Sequence, residues 1–178
     1  MRDMILRLKT GDKGAFAEVF EVYHKRIYDY VFRLSGGNEP VCDDIVQQAF
    51  LNFWKNKSNF DEERPVGPYL LAIARNAWIN SVKKETPDKV QLTEQSAQAP
   101  YHSEPNLRVE QKELEESVEK AVSKMPESVR EVFFLSRCQG LKYSEISGVM
   151  MISIKTVEAR MSKALDLLRR ELKDFIEE

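Results

Sequence analysis

The sequence predicts an all-α protein built as two small helical domains joined by a flexible linker. Three observations carry that expectation. Apolar residues recur at steps of three and four over most of the chain, the spacing of one helix face. No stretch alternates apolar and polar residues long enough to make a strand. One segment, "ETPDKVQLTEQSAQAPYHSEPN", holds Pro87, Pro100 and Pro105 and no periodic apolar face. It cannot bury enough surface to order itself.

The elements follow in chain order. Phe16, Val19, Phe20, Tyr23, Ile27, Tyr30, Val31 and Leu34 line one face of a first long helix. Asp12 suits its N-cap, and Gly36-Gly37 stop it. Asn38 and Pro40 open the next helix, whose apolar face is Cys42, Ile45, Val46, Ala49, Phe50, Phe53 and Trp54. "NKSNFDEERP" is a polar connection to a third helix carrying Tyr69, Leu70, Ile73, Ala74, Ala77 and Ser81 on one side. The first domain is therefore expected at 1–85, the linker at 86–106 and the second domain at 107–178. Extended, the linker would span on the order of 70 Å. Helical pattern resumes with Leu107, Leu114, Val118, Ala121 and Val122. "MPESVREVFFLSRCQG" starts another helix near Pro126, and Gly140 ends it. "LKYSEISGVM" is a short helix. The last runs from Ser153, its N-cap, towards Phe175, with Ile154, Val157, Met161, Ala164, Leu165, Leu168 and Leu172 as its apolar stripe.

Composition narrows the function. With 178 residues, 42% hydrophobic and 31% charged, the chain is soluble and can bury a core. Its formal net charge of −2 does not exclude nucleic acid, because a local face matters more than the sum. Cys42, Cys138, His24 and His102 show no metal-ligand spacing, so no metal is expected. Both cysteines read as buried or half-buried thiols in a reducing compartment. The N-terminus has no apolar signal core and no run is long enough to span a bilayer, which points to the cytoplasm. There is no phosphate loop, nucleophile elbow or pocketed carboxylate pair, so neither an enzyme nor a cofactor is expected.

Three helix faces carry chemistry. Lys155, Thr156, Ala159, Arg160 and Lys163 form a stripe starting at the N-terminus of the last helix. Short side chains let such a helix sit deep in a groove, and Arg and Lys reach guanine edges or phosphates. A solvated helix face carries the same residue types, but the preceding short helix and three-residue turn favour a helix-turn-helix. Asn76, Asn80, Lys83 and Lys84 share a face at the end of "ARNAWINSVKK". They suit base edges and phosphates, and equally a solvated helix end. Asp43, Asp44, Gln47, Gln48, Leu51 and Lys55 form an outer face beside Trp54. An exposed Leu and an edge Trp suggest a protein-binding surface, unless Trp54 is simply core.

In this order the segments resemble an extracytoplasmic-function (ECF) sigma factor of bacterial RNA polymerase. "GDKGAFAEVFEVYHKRIYDYV", "CDDIVQQAFLNFWKNK" and "PYLLAIARNAWINSVKK" look like the family's sigma-two domain. "MPESVREVFFLSRCQGLKYSEISGVMMISIKTVEARMSKALDLLRREL" looks like its sigma-four domain. The helix-turn-helix alone also fits a stand-alone transcriptional regulator; both halves in this order are far more specific. The resemblance implies that Asp44, Gln47, Gln48, Leu51, Trp54 and Lys55 dock on the clamp coiled coil of the polymerase beta-prime subunit. It implies that Asn76, Asn80, Lys83 and Lys84 meet and help melt the minus-ten element, with the loop at Asn59 and Phe60 capturing an extruded base. Ser153, Lys155, Thr156, Ala159, Arg160 and Lys163 would read the minus-thirty-five element. Partners would be core RNA polymerase, including the beta flap, and promoter DNA, with room for an anti-sigma factor, membrane-bound or not.

Three residues depart from the family pattern. Met151 stands at the usual turn glycine, Ser147 at a small apolar position, and Lys142 where a Ser or Thr N-cap is common. Loss of such a cap costs about 1 kcal/mol.

Overall fold

A computed structural model describes residues 2–85 and 109–176, and every regular element among them is helical. The expected linker at 86–106, and Leu107, lie outside the described residues. The chain divides into two compact units.

The first unit holds α1 (Arg2–Lys9), α2 (Lys13–Leu34), α3 (Glu39–Lys55), a 3-10 turn (Lys57–Asn59) and α4 (Val66–Glu85). Its helices start and stop for local reasons. The Asp12 carboxylate accepts from the N–H groups of Gly14 and Ala15 at 2.7 and 3.3 Å, capping α2. Those bonds and the Arg7 guanidinium, the largest influence, hold the Asp12 carboxyl below its ordinary range. At the far end Gly36 and Gly37 take φ of 66° and 86°. Gly37 N–H donates to Phe32 C=O (2.8 Å) and Gly36 N–H to Arg33 C=O (3.4 Å), closing the helix in a Schellman arrangement. The Asn38 side chain caps α3 through Val41 N–H (3.3 Å).

Helix α1 was not expected, because eight residues hold too little periodicity to register. Tertiary packing makes it: Ile5 and Leu8 are buried, and Arg7 bridges Asp12 (2.8 Å) and Glu18 (3.0 Å) at the start of α2. Helices α2, α3 and α4 pack on one another around Ile27, Tyr30, Phe53, Leu70 and Leu71. Cys42 is buried as expected; burial pushes its thiol up, opposed by the Ser35 hydroxyl 3.1 Å away. Two residues of the expected α2 core face are not in the core. Phe16 is half-buried and Phe20 is 39% exposed, because they lie at the margin where α2 meets the side of α3.

The second unit holds α5 (Val109–Ser123), α6 (Glu127–Arg137), α7 (Tyr143–Met150) as far as Ser147, α8 (Ile154–Glu171) and α9 (Lys173–Ile176). Helix α8 runs against both α5 and α6. Val122, Met125, Val129 and Ala164 are buried there, with Val118, Phe133, Leu167 and Leu168 packed around them. The Lys124 ammonium reaches Glu171 at 2.6 Å, tying the end of α5 to the end of α8 and holding the Glu171 carboxyl below its ordinary range. Gly140, with φ of 62°, turns the chain after α6 as expected.

Some expectations need correcting here. The last helix stops at Glu171 rather than continuing to Phe175; Leu172 is its C-cap and α9 is a separate turn. Cys138 is exposed, because it sits at the C-cap of α6, off the buried face of Val129, Val132 and Leu135. Ile154, the first residue of α8, is 47% exposed, and Leu114, within α5, is 40% exposed. Among the described residues no helix is long and apolar enough to cross a membrane, and no cluster of His, Cys, Asp or Glu could hold a metal ion.

Candidate nucleic-acid and partner interfaces

The outer face of α3 is open. Asp44, Gln47, Gln48, Leu51 and Lys55 are all exposed, Leu51 by 45%. Trp54 divides the two readings its sequence position allowed. One side of its ring packs on Phe16 (centroids 5.1 Å apart), and Lys57 Nζ lies 4.0 Å from the ring centroid, leaving the residue half-buried. It is the rim of the core and the wall of the surface together. Phe20 extends this surface, its ring 4.8 Å from Phe50. The face thus grades from acidic at Asp43 and Asp44, through two glutamines, to an apolar end at Leu51, Trp54 and Phe20. Such a gradient suits a protein partner better than DNA phosphates. Sequence reasoning placed Phe20 in the core. A second period was visible, however: Phe16, Phe20, His24, Tyr28 and Phe32 recur every four residues, and their neighbouring rings from Phe20 onward lie 4.5 to 6.2 Å apart. A second stripe beside the core stripe marks a helix whose flank is half covered.

The connection after α3 separates the two loop residues. Asn59 is exposed. Phe60 is only 3% exposed, with its ring 5.5 Å from Phe53 and 4.9 Å from Tyr69. The expectation was that the loop at Asn59 and Phe60 captures an extruded base; of the two, Phe60 has its ring turned into the core. A phenyl ring in a short connection gains more by filling the gap between α3 and α4 than by standing in water. Asn59 is therefore the member of the pair on the surface.

On α4, Asn76 is half-buried, while Asn80, Lys83 and Lys84 are exposed. None of these four side chains has a hydrogen bond or ion pair among the described residues.

On α8 the cap is as expected. Ser153 Oγ accepts from Thr156 N–H at 3.0 Å, and the two hydroxyls lie 2.8 Å apart. Lys155, Ala159 and Lys163 are exposed, and Thr156 and Arg160 half-buried. The Lys155, Arg160 and Lys163 side chains have no ion-pair partner among the described residues. The capped N-terminus of α8 carries the positive end of the helix dipole, and Lys155, Arg160 and Lys163 follow it along the helix without an ion-pair partner among the described residues, a combination that favours anions.

The three departures are also explained. Met151 adopts the left-handed conformation, φ 54° and ψ 46°, that the glycine would have taken. The Ser147 hydroxyl, which an alanine would lack, donates to Ile152 C=O at 2.5 Å. Lys142 cannot accept a capping bond, but the Glu145 carboxylate accepts from Lys142 N–H at 2.8 Å, so half of a capping box survives.

With the geometry described, similarity to known proteins can be weighed. Residues 19–87 match the family model "Sigma-70 region 2", and residues 115–168 match "Sigma-70, region 4". The chain is 29% identical over 184 residues to the ECF RNA polymerase sigma factor SigW of Bacillus subtilis, covering 98% of each chain. It is 26% identical over 163 residues to SigM of the same organism, covering 88% of this chain and 91% of SigM. Among solved structures, CnrH in complex with the cytosolic domain of CnrY matches with a TM-score of 0.65 at 22% identity, covering 97% of each chain. The first unit carries region 2, the second carries region 4, and the relatives match end to end: the chain belongs to the ECF sigma factors of the sigma-70 family.

Proposed function

We propose that this chain is a promoter-specificity subunit that acts with core RNA polymerase to initiate transcription. As a member of a family of initiation factors it is not itself the catalyst; the polymerase makes the RNA. The observation that carries the reading is α8, a Ser153-capped helix whose Lys155, Arg160 and Lys163 have no anionic partner among the described residues, in a chain whose α3 also presents an open face running from acidic to apolar. A stand-alone regulator would need the first without the second. In this reading α8 meets the minus-thirty-five element through Ser153, Lys155, Thr156, Ala159, Arg160 and Lys163, and the second unit also contacts the beta flap. The face of Asp44, Gln47, Gln48, Leu51, Trp54 and Lys55 docks on the beta-prime clamp. Asn76 and Asn80, with Lys83 and Lys84, meet the minus-ten strand, and Asn59 borders the extruded base. The protein works in the cytoplasm, with domains at 1–85 and 107–178.

An anti-sigma factor is the further partner this reading includes. The sigma factor RpoE of Bartonella quintana, a solved structure with TM-score 0.65 to this chain, is described in complex with the anti-sigma factor NepR.

The test is run-off transcription from fragmented genomic DNA with core enzyme. Wild-type protein should yield discrete transcripts that core alone does not. Asp44→Arg should lower core affinity by about tenfold or more, since an exposed charge reversal opposes a charged partner without touching the core. Its circular dichroism should match wild type. Wild-type affinity for core would remove α3 as the docking face.

A further inference from the structure

We infer that Ser147 is a positioning residue for promoter recognition: it locks the turn of the helix-turn-helix and so sets the direction in which α8 leaves it. The inference rests on reading α8 as the promoter-facing helix. Residue 151 must adopt a left-handed backbone for the chain to pass from α7 to α8, and methionine does so at a steric cost that glycine avoids. Its side chain gives nothing back through burial, since it is 69% exposed. The conformation must therefore be held from elsewhere.

Ser147 does this three times over. Its backbone carbonyl accepts from Met151 N–H, closing α7. The same carbonyl accepts from Ile152 N–H at 3.2 Å. Its hydroxyl donates to Ile152 C=O at 2.5 Å. One residue thus holds both polar groups of Ile152, and with them the orientation of the segment on which Ser153 is mounted. Ser153 then caps α8 through Thr156 N–H, and Arg160 lies one turn beyond Thr156 on the same face. An alanine at 147 would keep the two backbone bonds and lose the third, leaving Ile152 C=O free to swing with its peptide plane. The hydroxyl and the non-glycine turn residue form a matched pair: with glycine at 151 the turn needs no lock, and with methionine it does.

The experiment uses the full chain with core polymerase, on a promoter fragment that wild-type holoenzyme selects from sheared genomic DNA. Affinity is compared for the intact fragment and one with its upstream element scrambled. Ser147→Ala should reduce the ratio of the two affinities by about fivefold, within the range of couplings between neighbouring residues. Ser147→Thr, which keeps a hydroxyl, should stay within about twofold of wild type. Adding Met151→Gly to Ser147→Ala should restore most of the ratio. Permanganate reactivity downstream on the scrambled fragment should be unaffected by Ser147→Ala, which a general loss of folding would not allow. In the free full chain, amide exchange at Ile152 should be about tenfold faster in Ser147→Ala, a change of about 1.4 kcal/mol in local opening. Unchanged exchange at Ile152, or a Ser147→Ala loss of the same size in the Met151→Gly background, would overturn the inference. If wild type shows no ratio at all while the exchange change appears, the lock is real but the promoter-facing reading of α8 fails, and the positioning role falls with it.

Discussion

Phe60 and Met151 are both large apolar residues in connections between helices, and the fold treats them in opposite ways. Phe60 is 3% exposed and Met151 is 69% exposed. The ten-residue connection around Phe60 has room to fold a ring back between α3 and α4, where Phe53 and Tyr69 receive it. The turn at Met151 has only three residues between two helix ends, and its left-handed backbone directs the side chain away from both. In the first case burial decides the backbone; in the second the backbone decides the exposure. Apolar character therefore says little about a loop residue until the geometry of its connection is known.

The largest test of this contrast is truncation at Phe60. Phe60→Ala should destabilise the first unit by about 3–5 kcal/mol, the cost of emptying a buried aromatic site, in denaturant unfolding followed by near-UV dichroism. Phe60→Leu, which refills most of the volume, should recover much of that loss and leave promoter melting intact. A stable Phe60→Leu protein that cannot melt promoters would place the ring at an extruded base after all.

The same question of inward or outward applies on α4, where Asn76 is half-buried and Asn80 exposed. Replacing both with Ala should lower open-complex formation, read by permanganate, more than closed-complex binding, by about 1–3 kcal/mol per lost base contact. Equal effects on both steps would reduce the pair to general backbone attraction.

On α8 the outward face should divide by exposure as well. Arg160→Ala, at a half-buried position close to the helix start, should relax base preference at one or two positions of the upstream element. Lys163→Ala should weaken all sequences alike and lower the salt slope by about one. A Lys163→Ala protein with altered sequence preference would exchange the two roles.

The smallest effect belongs to Met151 itself. Met151→Ala removes an exposed side chain and keeps the same backbone demand, so stability should change by no more than about 0.5 kcal/mol in thermal melting. A loss comparable to Phe60→Ala would mean that the methionine packs against something, and the contrast between the two connections would collapse.

Much of the fold was legible because it depends on local chemistry. Asp12, Asn38 and Ser153 cap their helices with bonds to N–H groups two or three residues away, and Gly36, Gly37 and Gly140 turn the chain through their own φ angles. Such features reach only a few residues along the chain, so a linear pattern contains them. The periodic stripes of α2, α3 and α8 belong to the same class. Helix α1 did not, because eight residues are too few to establish a period, only Ile5 and Leu8 of its apolar residues are buried, and its stability comes from the groove and the Arg7 bridges it meets. The faces of α3, α4 and α8 could be grouped by spacing, yet spacing is silent about which side of a stripe is covered. Phe20 and Ile154 fit their apolar stripes and still emerge at the surface, while Phe60 fits a polar loop and is enclosed.

By itself the sequence determined where the capped helices begin, where glycine stops them, and which residues share a face, since these follow from hydrogen bonds and dihedral preferences within a few residues; α1 and the far end of α8 lay beyond it. Only the tertiary structure decided which of those residues water reaches, how Trp54 can be core and surface at once, and that the hydroxyl of Ser147 answers the strain at Met151. The reason is physical: burial and side-chain bonding depend on what the chain brings alongside from elsewhere, and on the angle at which short connections force two helices to part.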